Sequence, residues 1–269
     1  MWVDFKPFTP PSNEYGMITR TQQELTPTLE RALPRLSKKK ISLLAFELVG
    51  IVLGLRTATL IDSLLLTEQD TVVLADALSE CKVTLLVVYE PVSGQAFIVN
   101  RDLLKDRVQQ RAFFVDVGGR APVLLGEKPE SFTLLLDRIS STPSSLNFLA
   151  LSLPYQDRPQ DLIPLIGYLL DYPVAYCLGE SEDGRNCLGG IELTLVEGVL
   201  LDEYGESYRL LSFSYPTQLA EGKLSPSSVC HKMKDLLEDR LRRVERVDYE
   251  EKCTVEVETR IVVLDQVAL

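Results

Sequence analysis

The sequence has one histidine, no CxxC pair and none of the common nucleotide-binding or serine-hydrolase motifs. A single imidazole excludes the zinc sites built from two or three histidines that many hydrolases use. The chain has no GxGxxG pattern, no Walker lysine loop and no GxSxG turn, so dinucleotide, nucleotide and serine-hydrolase assignments have no motif to support them. Few catalytic classes remain.

The sequence also lacks excess positive charge, a secretory leader and a long apolar run. Its 28 Lys and Arg against 39 Asp and Glu give a formal net charge of -11, which argues against nucleic acid and anionic membranes as partners. Five cysteines, spread without metal-site or disulfide spacing, predict reduced thiols and no disulfides. The longest apolar run, 41–55, contains Glu47 and is shorter than the roughly twenty residues that cross a bilayer. We therefore expect a soluble cytoplasmic protein without membrane contact, with the nucleus as the alternative compartment.

The composition is that of a globular chain with a sizeable core. Of its 269 residues, 45% are hydrophobic and 25% charged. Residues 1–20 contain several prolines and a glycine without periodicity, which predicts a flexible tail or a strap over the surface. Residues 21–269 contain no linker and no internal repeat, which predicts a single domain.

Helical and strand-like patterns alternate along this domain, which indicates an α/β fold: a mixed, largely central β-sheet flanked by helices, with an antiparallel C-terminal section. Helical patterns cover 21–36, 41–55, 68–80, 102–110, 130–140, 161–170 and 226–246. Strand patterns cover 57–62, 83–89, 95–99, 111–117, 147–153, 172–177, 191–201, 208–215 and 254–263. Ser37 is expected to cap the apolar helix that ends near Leu55.

Five stretches together resemble a known protein family. They are 47–62, 112–117, 167–176, 210–216 and 261–269. The pattern is similar to that of the uncharacterised animal family named after an open reading frame on human chromosome 1, a domain of unknown function. The similarity runs from about residue 35 to residue 269. It implies a single full-length domain in an intracellular eukaryotic protein, and the family has no catalytic residues to transfer.

The first candidate site lies at the ends of two predicted strands, because α/β sheets bind ligands beyond the carboxyl ends of their strands. Asp62 and Asp116 each follow a buried apolar run, and two converging carboxylates could bind Mg²⁺ together with a substrate phosphate. Gly118 and Gly119 would let the backbone approach an anion that Arg120 neutralises. The alternative interpretation is that each aspartate caps a turn or the next helix.

The last predicted helix contains the only histidine and much of the positive charge. Cys230 and His231 are consecutive, so their side chains point about 100° apart and cannot form a nucleophile–base pair. Six basic residues follow: Lys232, Lys234, Arg240, Arg242, Arg243 and Arg246. Acidic residues interleave with them at helical spacing, so we expect a solvated, internally neutralised face opposite an apolar stripe.

Two functional classes remain open. The missing motifs favour a non-catalytic protein-interaction module, whose loops 179–186 and 202–207 would engage an unknown protein partner. The alternative is an Mg²⁺-dependent hydrolase or transferase acting on a phosphorylated or nucleotide substrate, in which Asp62 and Asp116 bind the metal and Arg120 holds the phosphate. Mg²⁺ is the only cofactor considered, and only under this alternative, which needs the two carboxylates within about 6 Å of each other in an open cleft.

Overall fold

A computed structural model describes residues 16–155, 158–179, 185–202, 205, 207–248, 253–267 and 269, and of residues 245–248 it describes the backbone alone. Within these residues the chain forms seven helices and ten strands. The helices are α1 (Met17–Ala32), α2 (Lys38–Val52), α3 (Glu68–Leu78), α4 (Arg101–Arg107), α5 (Glu130–Ser140), α6 (Leu162–Leu169) and α7 (Pro226–Asp248). The strands are β1 (Ala58–Ile61), β2 (Leu85–Glu90), β3 (Gln95–Asn100), β4 (Phe113–Asp116), β5 (Val123–Leu124), β6 (Phe148–Ala150), β7 (Val174–Cys177), β8 (Glu192–Leu201), β9 (Ser207–Pro216) and β10 (Thr254–Val263).

The strands form three sheets. Sheet A has the order β1-β3-β2-β6, in which only the β2–β6 pair is parallel. Sheet B has the order β5-β4-β7, with β4 and β7 parallel, and sheet C has the order β10-β8-β9 and is antiparallel throughout. The predicted mixed α/β class with an antiparallel C-terminal section is confirmed. The expected central layer is divided between sheets A and B, because β6 pairs with β2 whereas the next strand, β7, pairs with β4.

Local sequence signals explain several element boundaries. The Ser37 hydroxyl accepts a hydrogen bond from the Lys40 backbone N–H at 3.4 Å, which confirms the predicted cap of α2. Thr67 and Asp70 form a reciprocal capping box at the start of α3. Helix α1 begins at Met17, inside the predicted tail, where Met17 and Ile18 are buried; residues 1–15 of that tail lie outside the described residues.

The hairpin β2–β3 lies at the centre of sheet A and is buried on both faces. Alternate strand residues point to opposite faces, and in β2 Leu86 and Val88 join a core cluster with α5 and α6. Leu85 and Val87 join a second cluster with helices α1, α2 and α3. A third cluster lies between sheet C and α7. In the part of the chain that the structure describes, no helix is both long and apolar enough to cross a membrane.

Candidate functional site

Asp116 ends β4 and closes a tight turn. Its Oδ1 accepts a hydrogen bond from the Gly118 backbone N–H at 2.9 Å, and the strand register places Asp116 beside Cys177 of β7. Gly179 packs against the same carboxylate, since a Cβ built there would lie 2.6 Å from Oδ2 and its φ is +51°. A side chain at this position would strain the backbone and displace the Asp116 carboxylate. The structure thus brings Asp116 and Gly118 together in the turn-capping arrangement that was the alternative interpretation.

Gly119 and Arg120 lie exposed at the surface directly after this turn. The nearest atom to a Cβ built at Gly119 would be the carbonyl oxygen of Ala121, at 3.9 Å. The loop is therefore open to solvent, and an anion held by Arg120 stays a prediction.

Asp62 follows β1 in sheet A, so the two candidate aspartates end strands of different sheets. Asp62 is exposed beside Glu47 of α2, whose carboxylate accepts a hydrogen bond from the Ser63 hydroxyl at 2.8 Å. The pKa of Glu47 is raised, mainly by burial and further by the negative charge of Asp62, although the hydrogen bond from Ser63 lowers it in part. Among the described residues, no group of three or more His, Cys, Asp or Glu side chains could hold a metal ion. The two-aspartate Mg²⁺ site stays a prediction.

Cys177 lies at the carboxyl end of β7, where a nucleophile would be expected in an α/β enzyme. Burial, together with the negative charges of Asp116 and Asp161, raises the pKa of its thiol to about 12. The thiol is therefore protonated at neutral pH and a poor nucleophile. Burial also raises the pKa of Asp161, whereas Arg158, whose Nη2 lies 3.7 Å from Oδ1, lowers it.

The other predicted site features lie at the surface or outside the described residues. His231 is exposed on α7, with Nε2 3.3 Å from Oδ2 of Asp235. Residues 180–184 of one predicted partner-binding loop, and residues 203, 204 and 206 of the other, lie outside the described residues. None of the five cysteines forms a disulfide, as predicted.

Arg240 is not part of a solvated face, and that prediction for α7 is wrong at this position. Its side chain is 2% exposed and makes a bidentate ion pair with Asp171, from Nη1 to Oδ2 at 2.6 Å and from Nη2 to Oδ1 at 3.0 Å. Thr57 donates to the same carboxylate from its hydroxyl at 2.7 Å and from its backbone N–H at 3.0 Å. Met233, Leu237 and Arg240 follow one another at i, i+4 and i+7, so the spacing places Arg240 on the buried stripe.

A second buried arginine completes this network. Nε of Arg107 lies 3.8 Å from Asp171 and donates to the Tyr168 carbonyl at 2.9 Å, while Nη2 donates to the Tyr172 carbonyl at 2.9 Å. Burial alone would raise the pKa of Asp171, but attraction and hydrogen bonds from Arg240, with further contributions from Arg107 and Thr57, lower it to about 2. The Asp171 network is interior, and we interpret it as structural.

An apolar groove lies between α6, β7, β9 and the turn of the β2–β3 hairpin. Its volume is about 610 Å³. One wall is formed by Ile163, Ile166 and Leu170, which are spaced along one side of the helix. These three side chains are only half-buried, whereas a helix that is apolar on all sides, as α6 and its C-cap are, is usually buried completely. Phe213 of β9 and Leu178, the residue before loop 179–186, also line the groove. None of the described residues that line it has a charged side chain.

Two tyrosines in this apolar groove are held in place by their neighbours. The Tyr172 ring stacks on Phe213 with centroids 5.0 Å apart. The Tyr176 hydroxyl donates to the Ser214 carbonyl at 2.7 Å, and burial raises the pKa of Tyr176. The remaining polar groups are uncharged, from Ser93, Gln95, Gln160, Ser212 and Ser214. A mostly apolar, preformed opening with a few neutral hydrogen-bonding groups is typical of a binding site for an uncharged ligand.

The groove could not be found from periodicity, because an all-apolar helix such as α6 predicts complete burial. One of its lining residues, Leu178, directly precedes loop 179–186, which the sequence had already offered as a partner contact.

Comparisons with known proteins give one match. The family model described as "Domain of unknown function (DUF4504)" matches residues 28–241. That range includes the groove residues of α6, β7 and β9 and the whole Asp171 network, whereas β10 lies beyond it. Neither the curated proteins nor the solved structures include a match to the chain. Because the family model covers most of the 269 residues, the chain belongs to the DUF4504 family.

Proposed function

We propose that this protein is a non-catalytic protein-interaction module and that the apolar groove binds an uncharged, apolar segment of a partner protein. The observation that supports this most directly is the lining. In a chain with 25% charged residues, the groove is formed without a charged side chain among its described residues.

The chemistry of the groove favours a peptide segment over a phosphorylated substrate. A phosphate requires cationic or N–H-rich surroundings, whereas the walls here are Ile163, Ile166, Leu170 and Phe213. An apolar peptide segment would bury those side chains, and the serine hydroxyls and glutamine amides of the groove would form hydrogen bonds with the peptide backbone. Leu178 connects the groove to loop 179–186, so a bound segment could contact both.

Selection of a displayed library of random short peptides against the native protein tests this proposal. We expect the enriched peptides to share an apolar, uncharged centre. Ile166→Arg should weaken their binding about tenfold or more, because a guanidinium buried without a partner is costly. Leu134→Arg is the matched control: Leu134 is exposed on α5 outside the groove, and peptide affinity should not change.

Two results would overturn the proposal. Peptides that bind wild type and Ile166→Arg equally would place the binding surface elsewhere. Binding of the uncharged dye Nile red in the groove, with no peptide enriched, would make it a small-molecule site.

The Mg²⁺-dependent hydrolase or transferase remains the alternative, with Asp62 and Asp116 as metal ligands and Arg120 on the phosphate. The local turn at Asp116 and the separate sheets give it less support. Thermal unfolding with Mg²⁺ and nucleotides discriminates, since a ligand at a hundredfold over its Kd adds about 2.7 kcal/mol to the free energy of unfolding. A Mg²⁺-dependent rise that Asp62→Asn and Asp116→Asn abolish would reverse the preference.

We also propose a more specific family for this chain and a cellular compartment. The five stretches support membership of the animal family named after an open reading frame on human chromosome 1, although the last of them, 261–269, lies beyond the matched region. Five cysteines without a disulfide support the reducing cytoplasm, or the nucleus.

A further inference from the structure

Strand β10 is a ten-residue edge strand of sheet C. It pairs along its whole length with β8, and among the described residues no strand pairs with its other edge. An edge of this length presents a row of backbone N–H and C=O groups that can pair with another strand.

One half of a face of β10 is exposed and apolar. Val255 and Val257 lie in the cluster under α7, where the Cys230 thiol donates to the Val257 carbonyl at 3.2 Å. Alternation places Ile261 and Val263 on the same face, but these two side chains are 62% and 59% exposed. The face therefore has a covered apolar half and an uncovered apolar half.

The sequence of β10 is complementary to itself about Thr259. If two copies pair antiparallel with Thr259 on the twofold axis, Glu258 of each copy lies opposite Arg260 of the other. Opposite charges and paired threonines are both favourable across an antiparallel pair. Edge strands often carry charge to prevent association. Here Arg260, whose Nη2 already pairs with Oε2 of Glu197 in β8 at 2.7 Å, would also face Glu258 of the other copy.

The same register also pairs the apolar residues. Val257 of each copy lies opposite Ile261 of the second, and Val255 lies opposite Val263. The exposed half of each strand would then lie beside the half that α7 covers in the other copy. A register centred on Glu258 would instead put Glu258 opposite its own copy, where like charges repel.

We propose that two copies of this chain associate through β10, antiparallel about Thr259, so that two copies of sheet C form one six-stranded sheet. This is an isologous interface, the commonest arrangement in homodimers. It uses a different surface from the groove and does not depend on the proposed function.

Sedimentation equilibrium over a wide concentration range tests the association. We expect wild type to reach twice the chain mass of 30.2 kDa. Glu258→Arg and Arg260→Glu should each raise the dimer dissociation constant about tenfold, since each creates like-charge pairs twice per dimer. An equimolar mixture of the two variants should restore the dimer, because their charges are complementary across the axis.

The charge-reversal control is Glu127→Arg, at an exposed loop position before α5, and it should dimerise like wild type. Circular dichroism of every variant excludes unfolding as the cause of dissociation. A wild type that stays at the chain mass at all concentrations overturns the proposal. So does a dimer dissociation constant that is unchanged in both single variants, or an equimolar mixture that associates no more tightly than the weakened single variants.

Discussion

Asp171 accepts four buried hydrogen bonds, two from Thr57 and two from Arg240. It has φ +69°, a left-handed conformation that aspartate and asparagine tolerate better than most residues. It follows α6, contacts Thr57 just before β1 and pairs with Arg240 of α7. One carboxylate therefore offsets part of the charge of two buried arginines, and its position requires both an unusual backbone and an acidic group.

Replacing this carboxylate should be costly. Asp171→Asn keeps a residue suited to positive φ but leaves Arg240 and Arg107 without their counter-charge, so we expect the free energy of unfolding to fall by about 3–5 kcal/mol. Urea denaturation measures the change. Asp235→Asn, which removes an exposed carboxylate on α7, is the control and should differ little from wild type. A loss at Asp171→Asn no larger than in that control would refute the structural role.

The difference in free energy of unfolding between wild type and Asp171→Asn should depend on pH, because it depends on the pKa of Asp171. It falls from 3.8 to about 2 on folding, so the carboxylate stabilises the folded state above pH 3.8 and loses that contribution as the pH falls toward 2. In urea denaturation, the free energies of unfolding of wild type and Asp171→Asn should therefore approach each other as the pH is lowered from 3.8 toward 2.

At the scale of elements, the segment after β10 is held by a close backbone approach. A Cβ built at Gly189 would lie 2.6 Å from the Asp265 carbonyl oxygen. Around it, the Gly190 N–H donates to the Leu264 carbonyl at 2.8 Å and the Asn186 side chain donates to the Val267 carbonyl at 2.8 Å. Because the obstructing atom belongs to the backbone, the segment itself must move to make room for a side chain.

Gly189→Ala should therefore displace residues 264–267 and lower the free energy of unfolding by about 1–3 kcal/mol. Hydrogen exchange should show lost protection at Gly190, whose N–H pairs with this segment. Gly126→Ala is the matched control, since no atom lies within 4 Å of its added Cβ. Unchanged hydrogen-exchange protection of Gly190 in Gly189→Ala would mean that the close contact between residue 189 and the Asp265 carbonyl imposes no constraint.

The sequence predicted the bounds of helices and strands better than it predicted which strands pair. Helix α5 and strand β10 have the predicted bounds because their apolar periodicity and flanking residues are local signals. The pairings that divide sheet A from sheet B, such as Val87 with Phe148 and Phe113 with Val174, join distant segments whose order no local pattern specifies. For the same reason the sequence offered strand-end aspartates as a site, while the groove depends on how α6 packs between sheets.

At the scale of the whole molecule, the described residues form three core clusters, and the Asp171 network contacts elements from all of them. Thr57 precedes β1 of sheet A, Arg240 belongs to the helix that covers sheet C, and Tyr168 of α6 lies in the cluster with α5. Buried polar contacts between layers couple their packing, since separating any layer leaves a charge without its partner. This supports the prediction of one domain from residue 21 onward.

Calorimetric unfolding tests that prediction through two distant core substitutions. Leu74→Ala removes a buried side chain beside α1 and α2, and Val196→Ala removes one between sheet C and α7. Each leaves a cavity, which for Leu→Ala costs about 2–5 kcal/mol. If the chain is a single cooperative unit, wild type unfolds in one transition, and each variant shifts that entire transition to lower temperature. Two resolved transitions, of which Leu74→Ala moves only one and Val196→Ala only the other, would instead establish two domains, with the arginine–aspartate network as the contact between them.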